Sequence, residues 1–108
     1  MIKQIKYFQA IVRCQNFTKA AEECYISQSA ISQQLQSLEK DLGVTLLHRE
    51  GRKFKLTAAG EFFYRKSLVI VNDFDRLCAD ISKFSFNLEI LRLYGMGFFH
   101  MQKSKRLK

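Results

Sequence analysis

The chain has 108 residues, 47% of them hydrophobic, with no proline and five glycines, a composition that excludes disorder and fits one compact domain with an appended element. Missing proline and scarce glycine also argue against a turn-rich β fold and for long helices. The net charge of +8 is unevenly spread: nine cations face five anions in residues 1–60, four face four in 61–87, and five face one in 88–108, so the two ends attract a polyanion and the middle does not.

From Ile2 to Cys14, Ile5, Phe8, Ile11 and Val12 recur at helical spacing, which predicts an amphipathic helix of about three turns with Lys3, Lys6 and Arg13 on its polar side. Gln15-Asn16-Phe17 interrupts the pattern. Thr18 reads as the N-cap of a short helix over Lys19–Cys24 that buries Ala20, Ala21 and Cys24. Tyr25-Ile26 makes a turn, and Ser27 caps a second helix. Ile26 and Ile31 lie on either side of that cap at the spacing of a hydrophobic staple.

The helix opened by Ser27 carries the most information. Ile31, Leu35, Leu38 and Leu42 make one narrow apolar stripe, and Gly43 ends it. Opposite lie Gln28, Ser29, Ser32, Gln33 and Gln36, uncharged until Glu39. A solvated helix face normally carries Lys and Glu. Amides and hydroxyls offer paired donors and acceptors, the equipment for reading base edges in the major groove. Short helix, tight turn and longer helix form a helix-turn-helix, whose second helix enters that groove with an N-terminus suited to a phosphate. Two β-prone segments follow, Val44–His48 and Phe54–Leu56, flanking the basic turn Arg49-Glu50-Gly51-Arg52-Lys53. Such a wing lies along a phosphate backbone or the adjacent minor groove.

Thr57 caps a last helix expected over residues 58–84. Phe63, Ser67, Ile70, Phe74, Leu77, Ile81 and Phe84 alternate at four and three residues, a heptad seam apart from the serine. A seam of this kind predicts pairing with a second copy through Phe63, Ile70, Phe74, Leu77, Ile81 and Phe84. The expected class is therefore all-α with a small two-stranded β wing: a winged helix-turn-helix over residues 1–58, a dimerisation helix over 59–87, and a basic tail over 88–108.

The ordered set Phe17-Thr18-Lys19-Ala20-Ala21, Ser27-Gln28-Ser29-Ala30-Ile31-Ser32-Gln33-Gln34-Leu35, Leu38-Glu39, Leu42-Gly43, Leu46-Leu47-His48-Arg49, Gly51-Arg52-Lys53 and Leu56-Thr57-Ala58-Ala59-Gly60 resembles the N-terminal region of LysR-type transcriptional regulators. The resemblance covers residues 1 to about 85. It implies a bacterial activator or repressor that binds an interrupted palindrome in double-stranded DNA as a dimer, often as a tetramer. It further implies that Thr18 and the stretch from Ser27 through Gln34 face DNA, that Arg49, Arg52 and Lys53 hold phosphates, and that the helix after Thr57 dimerises. Ser29 stands where the family usually has proline, and Gln33 where arginine is frequent; the second departure removes a favoured guanine reader and shifts the expected base preference. Family members continue into an α/β effector domain that binds a small inducer. Leu88–Leu93 reads as the opening strand of such a domain, but the residues after it are too few for an inducer pocket, so no small-molecule inducer is expected for this chain.

Other function classes find little support. His48 and His100 are remote from each other in sequence, and no nucleophile motif, phosphate loop, metal cluster or cofactor signature occurs; an enzyme is not expected. Cys14, Cys24 and Cys78 match no zinc or redox spacing and read as reduced, buried thiols of a cytoplasmic protein. Lys3, Lys6 and Arg13 interrupt the N-terminal residues, so no secretory leader is expected, and no apolar run approaches the roughly 18 residues of a membrane span. The competing reading is a protein-interaction module that pairs with a full-length regulator and disables it.

Overall fold

The computed structural model describes residues 1–93, with side chains through Ser85. Its element order is α1 (Ile2–Cys14), α2 (Phe17–Glu23), α3 (Gln28–Leu42), β1 (Leu47–Glu50), β2 (Lys53–Leu56) and α4 (Ala58–Leu93). The chain divides into one unit over Met1–Asn72 and a second from Asp73 onward.

Within the first unit α1, α2 and α3 enclose a core in which Phe8, Ile11, Ile31, Leu38 and Leu46 are fully buried. Gln15 ends α1 in the left-handed region, its side chain donating to the Val12 carbonyl. The cap of α2 is Asn16, not Thr18: Asn16 Oδ1 accepts from the Lys19 amide at 2.9 Å. An extended Asn16 is as good a cap as any residue type and starts the helix earlier. Thr18 is thereby free to donate to Gln28 Oε1 at 3.1 Å, linking the first turns of the two helices. Between them the chain makes a Schellman turn. Ile26 N–H donates to the Ala21 carbonyl and Tyr25 N–H to that of Glu22, with Tyr25 left-handed at φ 59. Ser27 caps α3 as expected, accepting from the Ala30 amide at 3.1 Å, and Gly43 closes it at φ 73.

The wing is a two-residue hairpin. Register pairs Leu47 with Leu56, His48 with Lys55, Arg49 with Phe54 and Glu50 with Lys53. Of its central residues only Gly51 has positive φ, at 62, the pattern of a II′ turn. Arg49, Glu50 and Lys53 therefore belong to the ladder and not to the turn. Val44, Thr45 and Leu46, expected in the first strand, lie outside it because their neighbourhood is bonded elsewhere. The Thr57 hydroxyl donates to the Thr45 carbonyl at 2.6 Å, the Thr57 amide donates to the Leu46 carbonyl, and the Leu46 and Leu47 amides donate to Glu39 Oε2 at 2.6 and 3.3 Å. Glu39 thus ties the end of α3 to the root of the wing. Glu39→Ala strips two amides of their acceptor and is expected to lower unfolding free energy by about 1–3 kcal/mol in a urea titration. A loss within the roughly 0.5 kcal/mol typical of surface substitutions would show that water replaces the carboxylate.

Thr57 caps α4 as expected, accepting from the Gly60 amide at 2.9 Å. The helix outruns its expected end at residue 84. Leu88–Leu93, expected as a strand, continue α4, since neither glycine nor proline occurs between Gly60 and Gly95 to stop it. The first turns of α4 pack on α1, and the first compact unit reaches Asn72. Phe63 is part of this packing: its ring centroid lies 5.7 Å from that of Phe8. Ser67, the break in the heptad seam, is 2% exposed. It accepts from Gln9 Nε2 at 2.9 Å and donates to the Tyr64 carbonyl, which satisfies a buried polar pair. Phe63 is accordingly half-buried against the core of its own unit.

In the second unit Phe74, Leu77 and Ile81 are 40%, 61% and 59% exposed, and Phe84 is half-buried. Cys14 and Cys24 are half-buried, and burial pushes the Cys24 thiol above its ordinary pKa against the opposing pull of Arg13. Cys78 is exposed, contrary to the expectation that all three thiols are buried. The basic tail over Lys103–Lys108 lies outside the described residues.

Candidate nucleic-acid interface

Three segments of the first unit converge on one cleft of about 360 Å³: Gln15–Thr18 at the start of α2, Gln28 in the first turn of α3, and Arg49 with Gly51–Phe54 on the wing. Each is held there by local chemistry. Asn16 and Ser27 set the two helix starts, the Thr18–Gln28 hydrogen bond joins them, and Gly51 turns the wing back toward them.

The cleft is cationic. Arg52 and Lys53 are exposed, and among the described residues neither has an ion-pair partner. The other ends of the wing are less simple. Residues paired directly across a ladder share a face, and alternate residues share it too. Leu47, Leu56, Phe54 and Arg49 therefore line the inner face, while His48, Glu50, Lys53 and Lys55 point outward. Arg49 is exposed, and its guanidinium lies 4.3 Å from the centroid of the Phe17 ring.

Along α3, Ile31, Leu35 and Leu38 are buried, which leaves Ser29, Gln33 and Gln36 exposed on the far side. Ser32 is half-buried between them and Gln28. Ser27 and Ser29 share a hydroxyl contact at 3.2 Å at the helix start. Gln34 departs from its group. It stands three residues after Ile31 and four before Leu38, both fully buried, so it flanks the core seam and is half-buried. The structure thus brings Thr18, Gln28, Arg49, Arg52 and Lys53 around one cleft and continues that surface along α3 through Ser29, Ser32 and Gln33. It sets Gln34 apart.

Asn16, Phe17 and Phe54 line the same cleft and are missing from the set expected from sequence. Asn16 carried a readable signal, an asparagine three residues before the amide it caps. Phe17 and Phe54 carried none, because their role depends on a contact between segments far apart in the chain. Among the described residues no group of three or more His, Cys, Asp or Glu side chains could hold a metal ion, and no helix is long and apolar enough to cross a membrane.

Residues 2–61 match the family described as bacterial regulatory helix-turn-helix protein, lysR family. Over 96 residues the chain is 33% identical to the HTH-type transcriptional regulator BenM of Acinetobacter baylyi, an alignment covering 89% of this chain and 32% of BenM. The fold is similar to that in the crystal structure of the CbnR_DBD–DNA complex, with a TM-score of 0.70 and 40% identity over 77% of this chain and 94% of that one. Against the BenM_DBD/catB site 1 DNA complex the TM-score is 0.73, with 34% identity over 81% of this chain and 94% of that one. The chain spans about a third of the length of BenM.

Proposed function

The chain belongs to the lysR family of bacterial helix-turn-helix regulators, and from that premise we propose that it binds double-stranded DNA sequence-specifically as a cytoplasmic homodimer and regulates transcription, with no catalytic activity of its own. One observation carries this reading: an uncharged amide-and-hydroxyl helix face opens onto a cleft walled by the unpaired cations of the wing. Two solved relatives of the same fold are complexes with DNA, which supports the same polyanion here. Ser29, Ser32, Gln33 and Gln28 are the base-reading candidates, each good contact contributing about 1–3 kcal/mol of discrimination. Ser27 and Thr18 suit the helix-start phosphate, and Arg49, Arg52 and Lys53 the flanking backbone. Pairing runs through the exposed apolar residues of α4 from Ile70 onward.

Selection of duplexes from a random DNA pool tests the proposal. A recovered site with two-fold symmetry, bound with an affinity that falls steeply with salt, is the expected result. Gln33→Ala is expected to relax preference at one position of each half-site. Arg52→Ala is expected to weaken every sequence alike and to lower the salt slope by about 0.9 per site occupied. Recovery of no enriched sequence, or the reverse behaviour of the two variants, overturns the assignment.

A further inference from the structure

The pleat of the wing sets an inward-pointing position at residue 49, beside Leu47 and across from Phe54. Leu47 is buried there, and Phe54 and Leu56 are half-buried. An apolar residue satisfies that environment, yet the position holds an arginine. We infer that Phe17 is the positioning residue for Arg49: it receives the guanidinium on its ring and holds it at the cleft for a DNA phosphate. The inference rests on the DNA-binding reading above and adds to it a residue outside the expected contact set.

The geometry is that of a cation–π contact with a second ring beside the first. The Arg49 guanidinium carbon lies 4.3 Å from the Phe17 centroid, within the range of an attractive contact. Phe17 meets Phe54 edge-on, with centroids 5.3 Å apart and planes at 75°, a contact that favours this placement of the ring. Phe17 is the first residue of α2 and sits directly after the cap Asn16, which fixes where the ring begins. Phe54 is the direct cross-strand partner of Arg49. One ring on the helix-turn-helix therefore touches both members of a cross-strand pair on the wing. Two consequences follow. Arg49 loses rotamer freedom before DNA arrives, which removes part of the ordering cost of binding. Arg49 also lines the cleft with its side chain exposed, which leaves guanidinium N–H donors for a phosphate there.

The test measures affinity of the full chain for the duplex recovered by the wild type, with thermal stability followed alongside. Phe17→Leu keeps an apolar side chain and removes the ring face; it is expected to weaken binding about 2- to 5-fold, the affinity equivalent of an exposed cation–π contact. Phe17→Tyr is expected to restore wild-type affinity. Arg49→Lys keeps the charge but not the planar stack, and is expected to lose a similar factor. In the Arg49→Lys background Phe17→Leu is expected to cost almost nothing further, because the contact is already gone. A Phe17→Leu penalty of equal size in both backgrounds, or Arg49→Lys binding like wild type, overturns the inference and leaves the DNA reading intact. Arg49→Lys perturbs an exposed side chain, so the second outcome is decisive even where Phe17→Leu unfolds. A wild-type chain that enriches no duplex overturns both.

Discussion

Gly60→Ala is expected to lower the melting temperature of the chain by about 12 °C or more, corresponding to roughly 3 kcal/mol in a domain of this size. A Cβ at Gly60 would lie 2.1 Å from the Leu46 carbonyl oxygen, 3.0 Å from the Leu46 carbonyl carbon and 3.1 Å from Leu56 Cδ2. Two of those three atoms are backbone, and that backbone is pinned. The Leu46 carbonyl accepts from the Thr57 amide at 2.9 Å, the Leu46 amide donates to Glu39, and the Leu46 side chain is fully buried. Alanine is intrinsically better than glycine in a helix by about 1 kcal/mol, so the sign is decided by the overlap and not by propensity. Ala59→Gly, one residue earlier, is the matched control and is expected to cost only about 1 kcal/mol. A Gly60→Ala chain that melts within about 3 °C of wild type, well under the shift set by 1 kcal/mol, would show that α4 slides away from the wing root at little cost.

The second large effect is expected at Leu77, which is 61% exposed on α4. Leu77→Glu sets a charge into the proposed pairing seam, where burial of each large apolar side chain contributes about 1.5–3 kcal/mol. The variant is expected to sediment as a monomer. Its affinity for a two-half-site duplex is expected to fall by a factor of about 10² to 10⁴, because the second half-site is no longer bound intramolecularly. Affinity for a single half-site is expected to be unchanged. Ala79→Glu, exposed and on the far side of the helix from Leu77, is the control and is expected to remain dimeric. A Leu77→Glu chain that stays dimeric and binds the full site like wild type would remove α4 from the pairing surface.

The expected contact set divides along a clear line. Ser27, Gly43, Gly51 and Thr57 announce themselves because a cap or a positive-φ turn is satisfied within three or four residues of the signal. The buried stripe of α3 is legible for the same reason: helical period alone puts Ile31, Leu35 and Leu38 on one side and Gln33 on the other. Thr18 was displaced as a cap because Asn16, two residues earlier, competes for the same task. Gln34 looked equivalent to Gln33 in a polar run, but one residue of a helix is about 100° of rotation, enough to move it beside the core.

Amino-acid order by itself determined the Ser27 and Thr57 caps, the Gly43 stop, the amide face of α3 and the basic hairpin with Gly51 in its turn, since each depends on residues a few positions apart. Tertiary structure alone decided that Phe63 and Ser67 face inward onto Phe8 and Gln9, that Arg49 stacks on Phe17, that Glu39 holds the wing root, and that Gly60 must lack a side chain. Most of these contacts join segments that are distant in the chain, and all depend on how α1, α3, α4 and the wing approach one another. A heptad pattern reads the same whether its apolar stripe meets a neighbouring helix of its own domain or a second copy, and only the packing of α4 on α1 distinguishes the two.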